Sequence, residues 1–180
     1  MIPYKRLDRV LVHKGKITTV YTDKIQLPDG PIADWDYIAH KGAAAFVGET
    51  EDGKIAMVKQ YRNALNRYTL EIPAGGINKG ESFEQAAVRE LNEETGYRVK
   101  NVSHLIDVFT TVAFCDEKIG IYCGNIELEG AQKLDEDEYV EILFYSLEEL
   151  ENMILKGEIQ DSKTVSGILA YSKRKQNSIS

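Results

Sequence analysis

The sequence predicts an α+β fold built in layers, with a β-rich segment at the N-terminus. Three observations predict it. The first eighty residues are short β-branched runs separated by Gly, Pro and Asp turns. At Ser82 the pattern changes to a helical period that lasts to Thr95. After Gly96 the strand pattern returns, and two helical stretches follow it. Strands, a helix, more strands and then helices suit an α+β arrangement; a doubly wound parallel sheet needs regular alternation.

RLDRVLVH and KITTVYTDKIQL read as strands joined by a turn at Lys14-Gly15, and PDGP at 28–31 is the next turn. WDYIAH, AAAFVGE and KIAMVKQY are three further strands, the last two joined by Glu51-Asp52-Gly53. YTLEIP is a short strand stopped by proline, and PAGGINKGE reads as loop. Ser82 is an N-cap for a helix over Phe83–Thr95, with Gly96 as its left-handed stop. VSHLIDVFTTVAF and KIGIYCGNIEL are strands, LDEDE is an acidic loop, and YVEILFY is a strand. LEELENMILKG is an amphipathic helix ending at Gly157. The last helix runs from Ser162 to Arg174, with a basic end that suits the helix dipole.

A length of 180 residues fits one domain with a small appendage. A net charge of −7 argues against a general nucleic-acid binder, which needs a basic face. It leaves a phosphorylated small ligand open, because a bound metal reverses the local field. The first twenty residues scatter basic side chains among apolar ones, so no targeting segment is expected. No apolar run reaches the roughly 20 residues that span a bilayer. Cys115 and Cys123 form no ligand motif and read as free thiols, consistent with a cytoplasmic location.

The chemistry is concentrated between Gly75 and Tyr97. With Glu90 at zero on a helical wheel, Glu93 falls at about −60° and Glu94 at about +40°, so three carboxylates share one face. Like charges this close repel unless a cation neutralises them, and a hard divalent ion with oxygen ligands is the natural partner. Arg89 stands beside them with a planar fork able to hold a carboxylate. Taken alone, three carboxylates at this spacing are also what a solvated helix face looks like.

The full spacing is far more specific. Gly75, Glu81, Arg89, Glu90, Leu91, Glu93, Glu94, Gly96 and Tyr97 match every fixed position of G-x5-E-x7-R-E-U-x-E-E-x-G-U, where U is apolar or aromatic. The sequence therefore resembles the Nudix hydrolases. The resemblance implies an α/β/α sandwich with a mixed β-sheet, and a metal-dependent hydrolase acting on nucleoside diphosphates linked to another group. It implies Mg²⁺, or Mn²⁺, held by Glu90, Glu94 and the carbonyl of Ala74. Glu93 would be a further ligand or catalytic partner, and Glu81 and Arg89 would fix the loop and helix.

Beyond that box the chain is similar to ADP-ribose pyrophosphatases over nearly its whole length. The shared features are Gln60-Tyr61-Arg62, Glu71-Ile72-Pro73-Ala74-Gly75, Phe114-Cys115-Asp116-Glu117-Lys118, the acidic loop at 135–138 and Gly157–Asp161 ahead of a helix. This resemblance implies that Arg62 and Glu71 bind substrate and that Trp35 stacks on the base. It makes Glu136 the general base and Glu138 a further metal ligand, with the reverse assignment of those two open. It also implies residues 1–42 as a dimerising β-segment, 43–180 as the hydrolase domain, and a homodimer. One departure is Val112, where such enzymes carry proline; the expectation is that the strand continues through this point and reshapes the substrate pocket. The activity implied is hydrolysis of ADP-ribose or a similar nucleoside diphosphate sugar. The alternatives are another sugar nucleotide such as GDP-mannose, or a non-catalytic ligand sensor. A calcium-binding reading of the acidic loop lacks the glycine-centred twelve-residue loop.

Overall fold

Two glycine turns fold the N-terminal segment back on itself. In the computed structural model, which describes residues 3–179 apart from Asp135 and Asp137, β1 (Lys5–Lys14), β2 (Thr19–Gln26) and β3 (Ile32–Ala39) form an antiparallel sheet in that order. The Gly15 N–H donates to the Thr18 carbonyl at 2.8 Å, closing the first hairpin. Gly30, at φ +109°, makes the second turn in a conformation that L side chains rarely adopt.

This sheet belongs to the first of two compact units, Met1–Gly42 together with Phe109–Lys118. Its polar centre is Asp23. The Arg9 fork donates to both Asp23 oxygens at 2.6 Å and lies over the Tyr37 ring, 3.6 Å from its centroid. Tyr37 donates its hydroxyl proton to Asp116, and the His40 N–H donates to the same carboxylate at 2.8 Å. The Ile38 N–H donates to Phe114 at 2.7 Å, so segment 109–118 is tied to β3 by backbone and side chains.

Within that segment the sequence reading needs a correction. The strand expected over 102–114 ends at Phe109, and Val112–Phe114 form a turn. The N–H groups of Phe114 and Cys115 both donate to the Thr111 carbonyl, at 3.3 and 3.0 Å. Valine is compatible with this turn because its side chain points into solvent, 82% exposed.

The second unit comprises Ala43–Val108 and Ile119–Ser180. Its strands are β4 (Ala43–Glu49), β5 (Lys54–Arg62), β6 (Arg67–Glu71), β7 (Ala74–Gly76), β8 (Tyr97–Val99), β9 (Ser103–Phe109), β10 (Lys118–Leu128) and β11 (Val140–Ser146). The sheet runs β11-β5-β4-β10-β8, with β6 on β5, β7 on β4 and β9 on β10. It is mixed: β4 and β10 are parallel, and the other pairs with resolved register are antiparallel. Helices α1 (Phe83–Thr95), α2 (Leu147–Leu155) and α3 (Ser162–Ile179) complete the unit. Among the described residues no helix is long and apolar enough to cross a membrane.

The apolar run Ala43–Val47 follows from the position of β4 inside the sheet. Ala44 and Phe46 join one core with Ala86, Ala87 and Leu91 of α1. Ala45 and Val47 join another with Leu150 of α2 and Ile168 of α3. Successive side chains of a strand point to opposite faces, so a strand buried on both faces is apolar throughout. Each fully buried aliphatic side chain contributes roughly 1.5–3 kcal/mol. The short strand β7, read as loop from sequence, pairs with β4; β8 pairs with β10, and α3 continues five residues past Arg174.

Candidate active site

Helix α1 is fixed at both ends. At its start the Ser82 hydroxyl accepts the Gln85 N–H at 3.2 Å, and Gln85 Oε1 accepts the Ser82 N–H at 2.9 Å. At its end Gly96 takes φ +71° and donates its N–H to Asn92. Ala86, Ala87 and Leu91 face the core and hold the helix in rotation, which turns Glu90, Glu93 and Glu94 towards β7 and the loop that follows it.

Arg89 organises the carboxylates. Its Nε and Nη2 donate to the two oxygens of Glu81 at 2.8 and 2.9 Å. Nη1 donates to Glu90 at 2.7 Å and Glu93 at 2.8 Å, and Nη2 also donates to the Gly76 carbonyl at 2.9 Å. All five guanidinium donors are thus used. Three acidic side chains share one cation, and the loop between β7 and α1 is tied to the helix.

Glu90 and Glu94 both meet β7. A Cβ on Gly75 would stand 2.2 Å from the Glu90 carboxyl carbon, so only glycine leaves room for that carboxylate. One turn on, Glu94 accepts the Ala74 N–H at 3.1 Å. Glu94 is only 4% exposed. Burial pushes its carboxyl up to about 8; the Ala74 N–H opposes this, and the charges of Glu90 and Glu138 add to it. Burial also pushes Glu90 up, against the Arg89 hydrogen bond, with Glu93 and Glu138 adding to the rise. Glu138 therefore lies close enough to act on both.

A second network adjoins the first. Arg62, at the end of β5, donates Nε and Nη2 to Glu71 at 2.8 and 2.6 Å. The Thr69 hydroxyl donates to Glu71 at 2.6 Å, and the Lys163 ammonium donates to it as well. Lys163 also reaches Asp161 at 2.9 Å, and Asp161 caps α3 by accepting the Thr164 N–H and hydroxyl. The charges of Glu94 and Asp161 both act on Arg62, which places the arginine beside the carboxylates.

In the first unit, Trp35 lines a cavity of about 640 Å³ with Val20, Asp34, Asp36, Ile38 and Phe114. The Trp35 ring is 47% exposed and packs on one side against Tyr4, with centroids 5.6 Å apart. The turn at 112–114 supplies Ala113 and Phe114 to the lining.

The NUDIX domain family model matches residues 39–166. The chain belongs to the NUDIX family. It is 37% identical over 166 residues to an ADP-ribose pyrophosphatase of Bacillus subtilis, covering 91% of this chain and 90% of the relative. A methanol dehydrogenase activator of Bacillus methanolicus is 39% identical, with 86% and 84% covered. An ADP-ribose pyrophosphatase of Mycobacterium tuberculosis is 31% identical, with 93% and 82% covered. Among solved structures, the crystal structure of an ADP compounds hydrolase matches with a TM-score of 0.85 at 19% identity, covering 97% of this chain and 95% of that one. At that identity the match speaks for the fold.

On this NUDIX scaffold, Glu90, Glu93, Glu94, Arg89 and Ala74 come together, and Glu138 acts on them from beside β11. The donor set fits a divalent cation: burial and neighbouring carboxylates raise the proton affinity of both Glu90 and Glu94, and a hard ion with oxygen ligands relieves both. Among the described residues no three acidic, His or Cys side chains yet stand around one point, because Arg89 draws Glu90 and Glu93 to itself and Glu94 faces the Ala74 N–H. Glu136 is exposed and makes no hydrogen bond or ion pair among the described residues; Asp135 and Asp137 lie outside them.

Glu71 lies inside the second network. It is 1% exposed, and its oxygens are taken by Arg62, Lys163 and Thr69. These contacts place it behind Arg62, whose guanidinium it orients. Lys163 and Asp161 were missed by the sequence reading. One signal was available: a lysine in the first turn of a helix opposes the helix dipole and calls for nearby carboxylates.

Proposed function

We propose that the chain hydrolyses the pyrophosphate of ADP-ribose or a closely similar nucleoside diphosphate sugar, with Mg²⁺, giving a nucleoside monophosphate and a sugar phosphate. The observation that carries this is the pair Glu90 and Glu94, one lying against Gly75 and the other on the Ala74 N–H, with Arg62 beside them. The identities with the two ADP-ribose pyrophosphatases support the choice of substrate.

In this reading Glu90, Glu94, Glu138 and the Ala74 carbonyl hold the metal. When bound, the metal neutralises the pyrophosphate and lowers the pKa of the attacking water. Arg89 keeps Glu90 and Glu93 in register with the loop. Arg62 offers its Nη1 edge, which has no hydrogen-bond partner among the described residues, to a phosphate oxygen. Glu136 takes the proton from water as the new P–O bond forms and the bridging P–O bond breaks. Trp35 and Phe114 sandwich the base.

The chain works as a homodimer through its N-terminal segment, where Leu7, Val10, Leu11 and Val12 of the edge strand β1 are exposed. Its free thiols suit the cytoplasm. The deciding experiment is a panel of nucleoside diphosphate sugars and dinucleotides assayed with Mg²⁺, reading phosphate released by a coupled phosphatase. ADP-ribose turned over ahead of ADP-glucose and GDP-mannose supports the reading. A second reading, action on a dehydrogenase, is favoured by the 39% identity to the methanol dehydrogenase activator. It is tested by the rate of methanol oxidation with and without this chain.

A further inference from the structure

Lys163 is only 6% exposed, sits in the first turn of α3 and carries its charge where the helix dipole disfavours it. Its ammonium lies between two carboxylates, Glu71 and Asp161. Glu71 in turn accepts hydrogen bonds from Nε and Nη2 of Arg62. The four groups sum to zero: two cations and two anions. Without Lys163, Arg62 would face two carboxylates as their single cation, and its attraction for a further anion would fall.

We propose that Lys163 is a positioning residue for the phosphate-binding arginine: by taking up the charge of Glu71 and Asp161 it leaves Arg62 able to meet a pyrophosphate. This rests on the reading of Arg62 as a phosphate contact. The buried ammonium touches no substrate. It acts through Glu71, which sets the plane of the guanidinium, and through the balance of charge around it.

The test separates charge from packing. Lys163→Met keeps most of the side-chain volume and removes the cation. It is expected to raise KM for ADP-ribose at least tenfold while kcat stays within about threefold, because binding to Arg62 is lost equally in the ground and transition states. Lys163→Arg should hold KM within about threefold of wild type. The double variant Lys163→Met with Asp161→Asn restores the charge balance, leaves the Arg62–Glu71 fork in place and should return KM to within about threefold of wild type; a residue that only packs would not be rescued by a second substitution. Should Lys163→Met fail to fold, the double variant carries the test, and a tenfold rise in its KM overturns the proposal. So does a KM within twofold of wild type in folded Lys163→Met, or a loss confined to kcat. If the wild type does not turn over ADP-ribose, the functional reading fails by itself. Lys163 is then read on ADP binding by calorimetry: a tenfold weaker Kd in Lys163→Met sustains the proposal, and an unchanged Kd or a wild type that takes no ADP overturns it.

Discussion

The carboxyl carbon of Glu90 lies 2.2 Å from where a Cβ on Gly75 would stand. The glycine that opens the box and the glutamate fifteen residues later are one contact. Gly75→Ala forces the carboxylate aside without a demand on positive φ, so its cost falls on the site and not on the fold. Activity is expected to drop on the order of 10²-fold, as for a small misplacement of a reacting group. Thermal unfolding should show a Tm within a few degrees of wild type, alongside a raised Mg²⁺ requirement.

Glu94 is a buried acid whose neighbours include Glu90 and Glu138. Its charge is costly to the empty fold and useful to the loaded one. Glu94→Gln should lower turnover by about 10²–10⁴, and excess EDTA should abolish wild-type activity. In EDTA the variant should melt no lower than wild type, since an amide there carries no charge to desolvate. Full activity in EDTA would sink the metal-dependent reading.

Glu71 contributes to the acid limb of stability. Burial would raise its carboxyl, but the Arg62 fork, the Lys163 ammonium and the Thr69 hydroxyl outweigh burial and hold it at about 2. A folded pKa below the unfolded value of about 4.5 means that the unfolded chain binds the proton first. The stabilisation is therefore present above about pH 4.5 and is lost as pH falls towards 2, amounting to roughly 3 kcal/mol at most. Urea titrations of wild type and Glu71→Gln should show a stability gap at pH 6 that narrows steadily down to pH 2.5. A gap independent of pH would mean that the ion pairs do not set it.

How much of this was legible in the sequence depends on the range of the interaction. The limits of α1 follow from Ser82 and Gly96, both local signals, and the central place of β4 from its unbroken apolar run. The ladder β7 was hidden because its three residues, Ala-Gly-Gly, carry no strand propensity; pairing with Ala43–Ala45 makes it a strand. Lys163 was hidden for a similar reason, since its partners Glu71 and Asp161 lie on separate elements. Val112 misled because the missing proline suggested a missing turn. The turn is held instead by the Thr111 carbonyl and by Asp116 bound to Tyr37 and His40, and neither depends on a ring at position 112.

Glu136 and Glu138 of the acidic loop stand in different surroundings. Glu138 acts electrostatically on Glu90 and Glu94, whereas Glu136 is exposed and without a partner among the described residues. Glu136→Gln should lower kcat far more than it changes KM, the mark of a group needed in the transition state. Glu138→Gln should raise the Mg²⁺ concentration giving half-maximal rate. Both kcat values within a few-fold of wild type would leave the loop as a solvated turn.

Trp35 offers a direct optical test of the cavity in the first unit, because it is the only tryptophan in the chain. Its ring packs against Tyr4, and Phe114 lines the same cavity. Stacking of a base on such a ring is worth about 1–3 kcal/mol. Trp35→Ala should therefore raise KM for ADP-ribose about tenfold or more, with little change in kcat. Phe114→Ala should act in the same direction if the base is held from both sides. Emission from Trp35 should shift or quench on addition of AMP, saturating at the concentration that half-inhibits hydrolysis. A spectrum unchanged by saturating AMP, together with an unaltered KM in Trp35→Ala, would assign the ring to packing against Tyr4 and leave the cavity without a nucleobase.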